Sequence, residues 1–230
     1  LKPYYQYMNT PEKGATMKEI RRAEKESSLT VAGKLFSSIK KPVEELYDIK
    51  TDPHEINNLA SDSKYLFKIK LMRNVMSNWQ STIGDIGLIP EAEIEIQEKQ
   101  SGSRFEIMNG KESDSNHIQQ LVNVATKASE GISALDDLIS ASTSNDPVIR
   151  YWAITGIGNI GKNAGEVAKK ISIDAIKDDS PSVRIAAARA VAKFGEIDSA
   201  LELLKNELKS PHQWGRLATA IVIDEMGEDA

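Results

Sequence analysis

The segment Asp146-Pro147-Val148-Ile149-Arg150-Tyr151-Trp152-Ala153 returns 34 residues later as Ser180-Pro181-Ser182-Val183-Arg184-Ile185-Ala186-Ala187. Ile160-Gly161 and Phe194-Gly195 stand at the same offset of 34. A degraded third copy places Arg216 and Met226-Gly227 at an offset of 32, with the irregularity at Pro211-His212-Gln213. Second segments of helical character, Gly165 to Lys177 and Asp198 to Lys209, lie between the copies. An earlier pair, His117 to Ala128 and Ile132 to Ala141, follows the same plan without the Pro and Arg opening. A fixed period of this length marks a stack of helix pairs, because one pair cannot bury its own apolar face and must pass it to the next.

Each position in the repeat has a physical reason. Asp or Ser ahead of the proline supplies a side-chain oxygen for the free amides of the first turn, and proline pre-sets that turn. Ala186, Ala187, Ala188, Ala190 and Ala192 let helices approach closely, while Val183, Val191 and Phe194 fill the contact. Gly161, Gly195 and Gly227 sit where a helix ends on a left-handed residue. The recurring Arg150 and Arg184 are expected to form a structural ladder with acids such as Asp146, Asp178 or Asp179; a substrate-binding ladder is the alternative. In outline the pattern resembles Asp-x-x-Pro-x-Val-Arg-x-x-Ala-x-x-Ala-Leu-Gly of HEAT repeats. That resemblance implies an α-α superhelix of three to four helix pairs over residues 117–230.

Chemistry-bearing motifs are sparse. Gly156-Ile157-Gly158-Asn159-Ile160-Gly161 matches the dinucleotide fingerprint in letters, but that motif must follow a strand and open a helix. Here it closes a helix, in register with Ala190 to Gly195. His54, His117 and His212 show no ligand spacing, and the pairs Asp136-Asp137 and Asp178-Asp179 are ordinary dipole and capping residues at helix ends. Trp152, Tyr151 and Trp214 fall early in their repeats, where they pack or grip a sugar ring or protein partner. Arg150, Trp152, Arg184, Trp214 and Arg216 are therefore the candidate interaction surface; no catalytic, cofactor or metal residue is assigned.

The first hundred residues have a different grain. Glu45-Leu46-Tyr47-Asp48-Ile49 is bounded by Pro42 and Asp52-Pro53, which predicts a short strand. Asp52-Pro53-His54-Glu55 reads as a capped turn or helix start; the alternative, a metal cluster with Asp48, needs acids to do more than cap. Leu66, Ile69, Met72, Val75, Met76 and Trp79, spaced by three and four, predict an amphipathic helix with Trp79 as a core anchor. Glu91, Glu93, Glu95 and Glu98 alternate with Ala92, Ile94 and Ile96, as in an exposed strand or a charged helix start. We take residues 91–116, with Gly102, Asn109 and Gly110, as a linker between residues 1–90 and 117–230. The repeats are expected to be the better-ordered half.

Composition excludes several classes. A net charge of −5 supplies no concentrated cationic face for nucleic acid. No apolar run approaches the ~20 residues that span a bilayer. With no cysteine there are no disulfides and no thiolate metal ligands.

The stretch Pro42-Val43-Glu44-Glu45-Leu46-Tyr47-Asp48-Ile49 with Asp52-Pro53-His54-Glu55 and Asn58-Leu59 resembles the C-terminal signature of sulfatases of the alkaline-phosphatase superfamily. Pro3-Tyr4-Tyr5-Gln6-Tyr7, Arg21-Arg22, Leu29-Thr30 and Leu35-Phe36 resemble the approach to it, and Met72-Arg73, Trp79, Thr82 to Asp85 and Ile89-Pro90-Glu91 the exit. About 90 residues are covered. The resemblance implies a small α+β C-terminal subdomain, packed beside an N-terminal catalytic domain that holds calcium and a formylglycine nucleophile. It implies a periplasmic or extracellular setting for the parent protein. Family members cleave sulfate from sugars, steroids or aryl esters.

No Cys/Ser-x-Pro-x-Arg motif occurs; in Ser180-Pro181-Ser182-Val183-Arg184 the proline is misplaced. With Leu1 inside the resembling segment, the chain is read as a C-terminal fragment that by itself hydrolyses nothing. Two functions stay open. One is the distal part of a sulfatase whose repeats position substrate or bind a protein or sulfated glycan. The other is a free-standing protein-binding scaffold without activity.

Overall fold

The period of 34 is the spacing of stacked helix pairs in the computed structural model, which describes residues 8–109 and 115–227. The Pro3 to Tyr7 run and Gly110 lie outside those residues. The chain divides into two units, Leu1–Val75 and Met76–Ala230. In chain order the helices are α1 (Asn9–Lys13), α2 (Ala15–Lys25), α3 (Val31–Phe36), α4 (Leu66–Ile83), α5 (Glu91–Ser101), α6 (Arg104–Asn109) and α7 (Ser115–Lys127). There follow α8 (Leu135–Ala141), α9 (Pro147–Ile160), α10 (Gly165–Asp174), α11 (Pro181–Phe194), α12 (Ile197–Glu207) and α13 (Gln213–Met226).

Unit 2 is an α-α superhelical stack in which α7, α9, α11 and α13 are first helices and α8, α10 and α12 second helices. The starts are built as the repeat dictates. Asp146 accepts the Val148 amide at 2.7 Å, Ser180 accepts the Val183 amide at 3.2 Å, and a proline follows each. The ends are built likewise: Gly161, Gly195 and Gly227 all hold positive φ, at 63°, 97° and 64°. After Gly195 the Glu196 amide returns to the Val191 carbonyl and the Gly195 amide to that of Ala192, which closes α11 in a Schellman turn.

The core runs through α11. Val183, Ala187, Ala190 and Val191 are fully enclosed, and the helix packs on α9, α10, α12 and α13. Leu121, Leu138, Ile154, Ile157 and Leu204 complete the interior. The glycines of the false nucleotide motif serve this packing. A Cβ at Gly156 would lie 2.8 Å from the Ala128 Cα and from both Leu138 methyls; one at Gly158 would lie 3.0 Å from the Ala190 Cα. Both positions need the missing side chain so that α9 can touch its neighbours.

The span 91–116, expected to be a linker, holds α5 and α6, and Ala92, Glu93, Ile94 and Met108 are buried. Ile89, Ile94 and Met108 join Ile118, Leu121 and Val148 in one apolar cluster, so this segment is packed against the repeats.

Unit 1 is different in kind. Among its described residues only Met17 and Ile69 are buried hydrophobics. No β-strand occurs among the described residues, so the strand expected at 45–49, and with it the small α+β element, is not present. The segment's backbone groups pair with a side chain instead of a strand. The Asn58 carboxamide accepts the Leu46 amide at 3.0 Å and donates to the Glu44 carbonyl at 3.0 Å, and the Leu59 amide reaches the Leu46 carbonyl at 2.8 Å.

Gly156→Ala is expected to destabilise unit 2 by about 1–3 kcal/mol, since the Ala128 backbone as well as the enclosed Leu138 side chain blocks the new methyl; thermal unfolding by circular dichroism measures it. Amide exchange is expected to be slower over 181–194 than over 44–65, where few apolar groups are buried. Equal protection in the two segments would contradict the packing difference.

Candidate functional site

Each repeat's arginine reaches backwards and forwards at once. Arg150 donates from one terminal nitrogen to the carbonyls of Ser144 and Asn145 at 2.9 and 3.0 Å. Its other edge forms a two-point pair with Asp178 at 2.7 and 2.8 Å. Arg184 repeats the gesture: its terminal nitrogen donates to the carbonyls of Asp178 and Asp179 at 2.8 and 2.9 Å, and its Nε to Glu207 at 2.6 Å. Arg216 donates to the Ser210 carbonyl at 2.7 Å, the position equivalent to Ser144 and Asp178.

Asp178 is the busiest group in this ladder. Its Oδ1 also accepts the Ser180 amide at 2.8 Å, fixing the turn ahead of α11. Burial alone lifts the Asp178 carboxyl, but the Arg150 guanidinium and the Ser180 amide outweigh it and hold the group below the usual carboxylate range. Asp146 stands in the same balance. Burial raises it, while the hydrogen-bonded His117 ring and the Val148 amide bring it down. The pair His117–Asp146 ties α7 to the start of α9.

Helix α5 lays its acidic residues along the starts of the later first helices. Buried Glu93 accepts the Ser180 hydroxyl, and Glu95 lies 3.9 Å from His212, the residue ahead of α13. A carboxylate beside a helix N-terminus is favourable because the unpaired amides there carry partial positive charge. The alternation of Glu and Ile hides this role in the sequence, since it suits strand and helix equally.

The five residues of the candidate surface therefore have unequal surroundings. Arg150 and Arg184 are engaged in the ladder. Trp152 is half-buried: its indole N–H donates to the Leu88 carbonyl at 2.8 Å and its ring meets Tyr151 edge-on at 5.3 Å. Trp214 is half-buried and Arg216 is exposed. In the other unit, Asp52 accepts the amides of Ile56 and Asn57 at 3.1 and 2.7 Å, and those two bonds hold its carboxyl low. It is a turn cap. Among the described residues no group of three His, Asp or Glu side chains converges to hold a metal ion.

Helix α4 forms as its spacing predicts, but its apolar residues do not enter a core. Ile69 is buried, whereas Phe67 is 80% exposed and Leu71, Met72, Val75 and Met76 are more than half exposed. Trp79, expected as a core anchor, is 57% exposed. Among the described residues of unit 1 no packed layer covers Phe67, Leu71 or Val75.

The family model described as HEAT repeats matches residues 135–224, the span of the arginine ladder. An ulvan-active sulfatase from Formosa agariphila is 35% identical to this chain over 91 residues. The aligned part is 40% of this chain and 15% of that sulfatase, so the chain spans a small share of the relative's length.

Replacing Asp178 by Asn is expected to lower stability at pH 7 by about 1–3 kcal/mol, the scale of a lost charge-assisted hydrogen bond. The native pKa is depressed, so the carboxylate's contribution is present above its unfolded value of about 3.9 and is lost as pH falls through the lower folded value. Thermal melts of wild type and variant should therefore begin to converge as pH falls below about 4 and meet once it has passed the lower folded value, and a gap that persists at that point would remove the ionic explanation.

Proposed function

We propose that this chain is the C-terminal, non-catalytic portion of a sulfatase, a sulfuric ester hydrolase, with helical repeats that mediate interaction or position substrate. The observation that carries this reading is the uncovered apolar surface of α4. Phe67, Leu71 and Val75 recur at intervals of four, flanked by Met72, Met76 and Trp79, all exposed. Clustered exposed apolar side chains on a soluble protein mark contacts. The occupant we assign is the N-terminal catalytic domain of the parent sulfatase.

The likeness over 91 residues to a sulfatase supports that choice of occupant. On this reading the nucleophile and calcium belong to the catalytic domain. The substrate class is a sulfated polysaccharide, as the name of the ulvan-active relative suggests. The second reading, a free-standing protein-binding scaffold, is favoured by one observation: the HEAT match lies wholly within the repeats.

The test is sulfate release from ulvan, with calcium, by the complete gene product that contains this sequence. Activity is expected, and Phe67→Asp with Val75→Asp should reduce it together with the soluble yield of the enzyme. The 230-residue chain alone should tolerate the same pair, within about 0.5 kcal/mol of stability, because both side chains are exposed. A complete product that releases no sulfate leaves the scaffold reading.

A further inference from the structure

Between the ends of α11 and α13 lies a cavity of about 390 Å³. Its walls come from three successive repeats. Lys162 belongs to the turn after α9, Lys193 and Ile197 to the end of α11 and the start of α12, and Val222 and Met226 to α13. The cavity therefore lies between repeats and not on an outer face of the stack. Ile197, Val222 and Met226 give it an apolar lining, and its size is that of an ordinary small-ligand pocket.

The charge around it is unevenly used. Arg189, also on the wall, is spent: it donates to Glu225 at 2.7 Å and to the Asn159 side-chain oxygen at 3.0 Å. Glu196, next to the cavity in sequence, is held by Lys169. Lys162 and Lys193 are exposed and form no ion pair among the described residues. Both border one backbone contact. A Cβ at Gly161 would lie 3.9 Å from the Lys193 Cβ, and one at Gly195 would lie 3.6 Å from the Lys162 Nζ. Two ammonium groups gathered without an acid repel each other, and an anion placed between them removes that cost.

The repeat itself does not call for lysine at either place. By the offsets of 34 and 32, Lys193 is equivalent to Asn159 and Glu225, and Lys162 to Glu196. All three counterparts are engaged in contacts between helices, Asn159 and Glu225 through Arg189 and Glu196 through Lys169. The two lysines replace such tying residues with unspent positive charge, at the one step of the register where a cavity stands beside them.

We infer that this cavity is a subsite for one sulfated sugar unit of a polysaccharide, with the sulfate between Lys162 and Lys193. An ammonium offers three rotatable donors, which suit a tetrahedral oxyanion, whereas the planar fork that favours a carboxylate is the one Arg189 has already committed. The C–H face of the sugar ring rests on Ile197, Val222 and Met226. The choice of a sugar rests on the sulfatase reading above; the charge and the lining do not.

Isothermal titration of the 230-residue chain with a sulfated ulvan oligosaccharide tests the subsite. Saturable binding is expected, and the same oligosaccharide after desulfation should not bind. Lys162→Gln and Lys193→Gln should each weaken binding about tenfold, the size of one charge-assisted contact. Lys205→Gln, at an exposed lysine of α12 away from the cavity, should leave it unchanged. Far-UV circular dichroism verifies that each variant is folded.

Absence of binding, or binding indifferent to Lys162 and Lys193, overturns the inference. Inorganic sulfate or an oligonucleotide that binds as tightly as the oligosaccharide makes this a general anion site and overturns the sugar assignment. The enzymatic reading fails separately. Sulfate release by the complete gene product, without binding here, strikes the subsite and spares the enzyme; binding here without sulfate release does the reverse.

Discussion

The stack depends on the crossing of α9 and α11. Gly158 brings the backbone of α9 so near Ala190 that a single methyl would have to displace it, and Gly156 does the same against Ala128 on the opposite side. A helix gripped from both sides at this distance fixes the angle at which its neighbours leave. The alanine run of α11 continues the close approach toward α12 and α13. Dispersion and burial then accumulate over many small contacts, which is why the helix can carry few large side chains and still be enclosed.

Upon that crossing the arginine ladder adds direction. Each guanidinium is held by backbone carbonyls of the preceding turn, so its forward edge is aimed before any acid arrives. Ordered in this way, it loses little entropy on pairing. The Arg150–Asp178 and Arg184–Glu207 pairs thus set the step between repeats and do not act as isolated surface ion pairs, which contribute little.

The repeats were legible from sequence because a period constrains every copy at once. It assigned the helix starts at Asp146 and Ser180, the stops at Gly161, Gly195 and Gly227, and the dismissal of the Gly-x-Gly pattern. What escaped was whatever depends on a partner distant in the chain. Glu93 reads as solvated charge until Ser180 is seen above it, 87 residues away. The spacing of α4 correctly gave a helix, but periodicity tells which side is apolar and not whether anything lies against it; Trp79 was misjudged for that reason. The run at 45–49 has strand composition but no strand beside it, and composition carries no information about a neighbour.

That last segment has a wider meaning. Asn58 supplies, from one carboxamide, the donor and acceptor that an adjoining strand would have offered to Glu44 and Leu46. The bend between them is therefore locked by residues within 14 positions of each other. Such a loop carries its own template: its backbone groups are met from within the segment, and its form does not wait on a neighbouring strand.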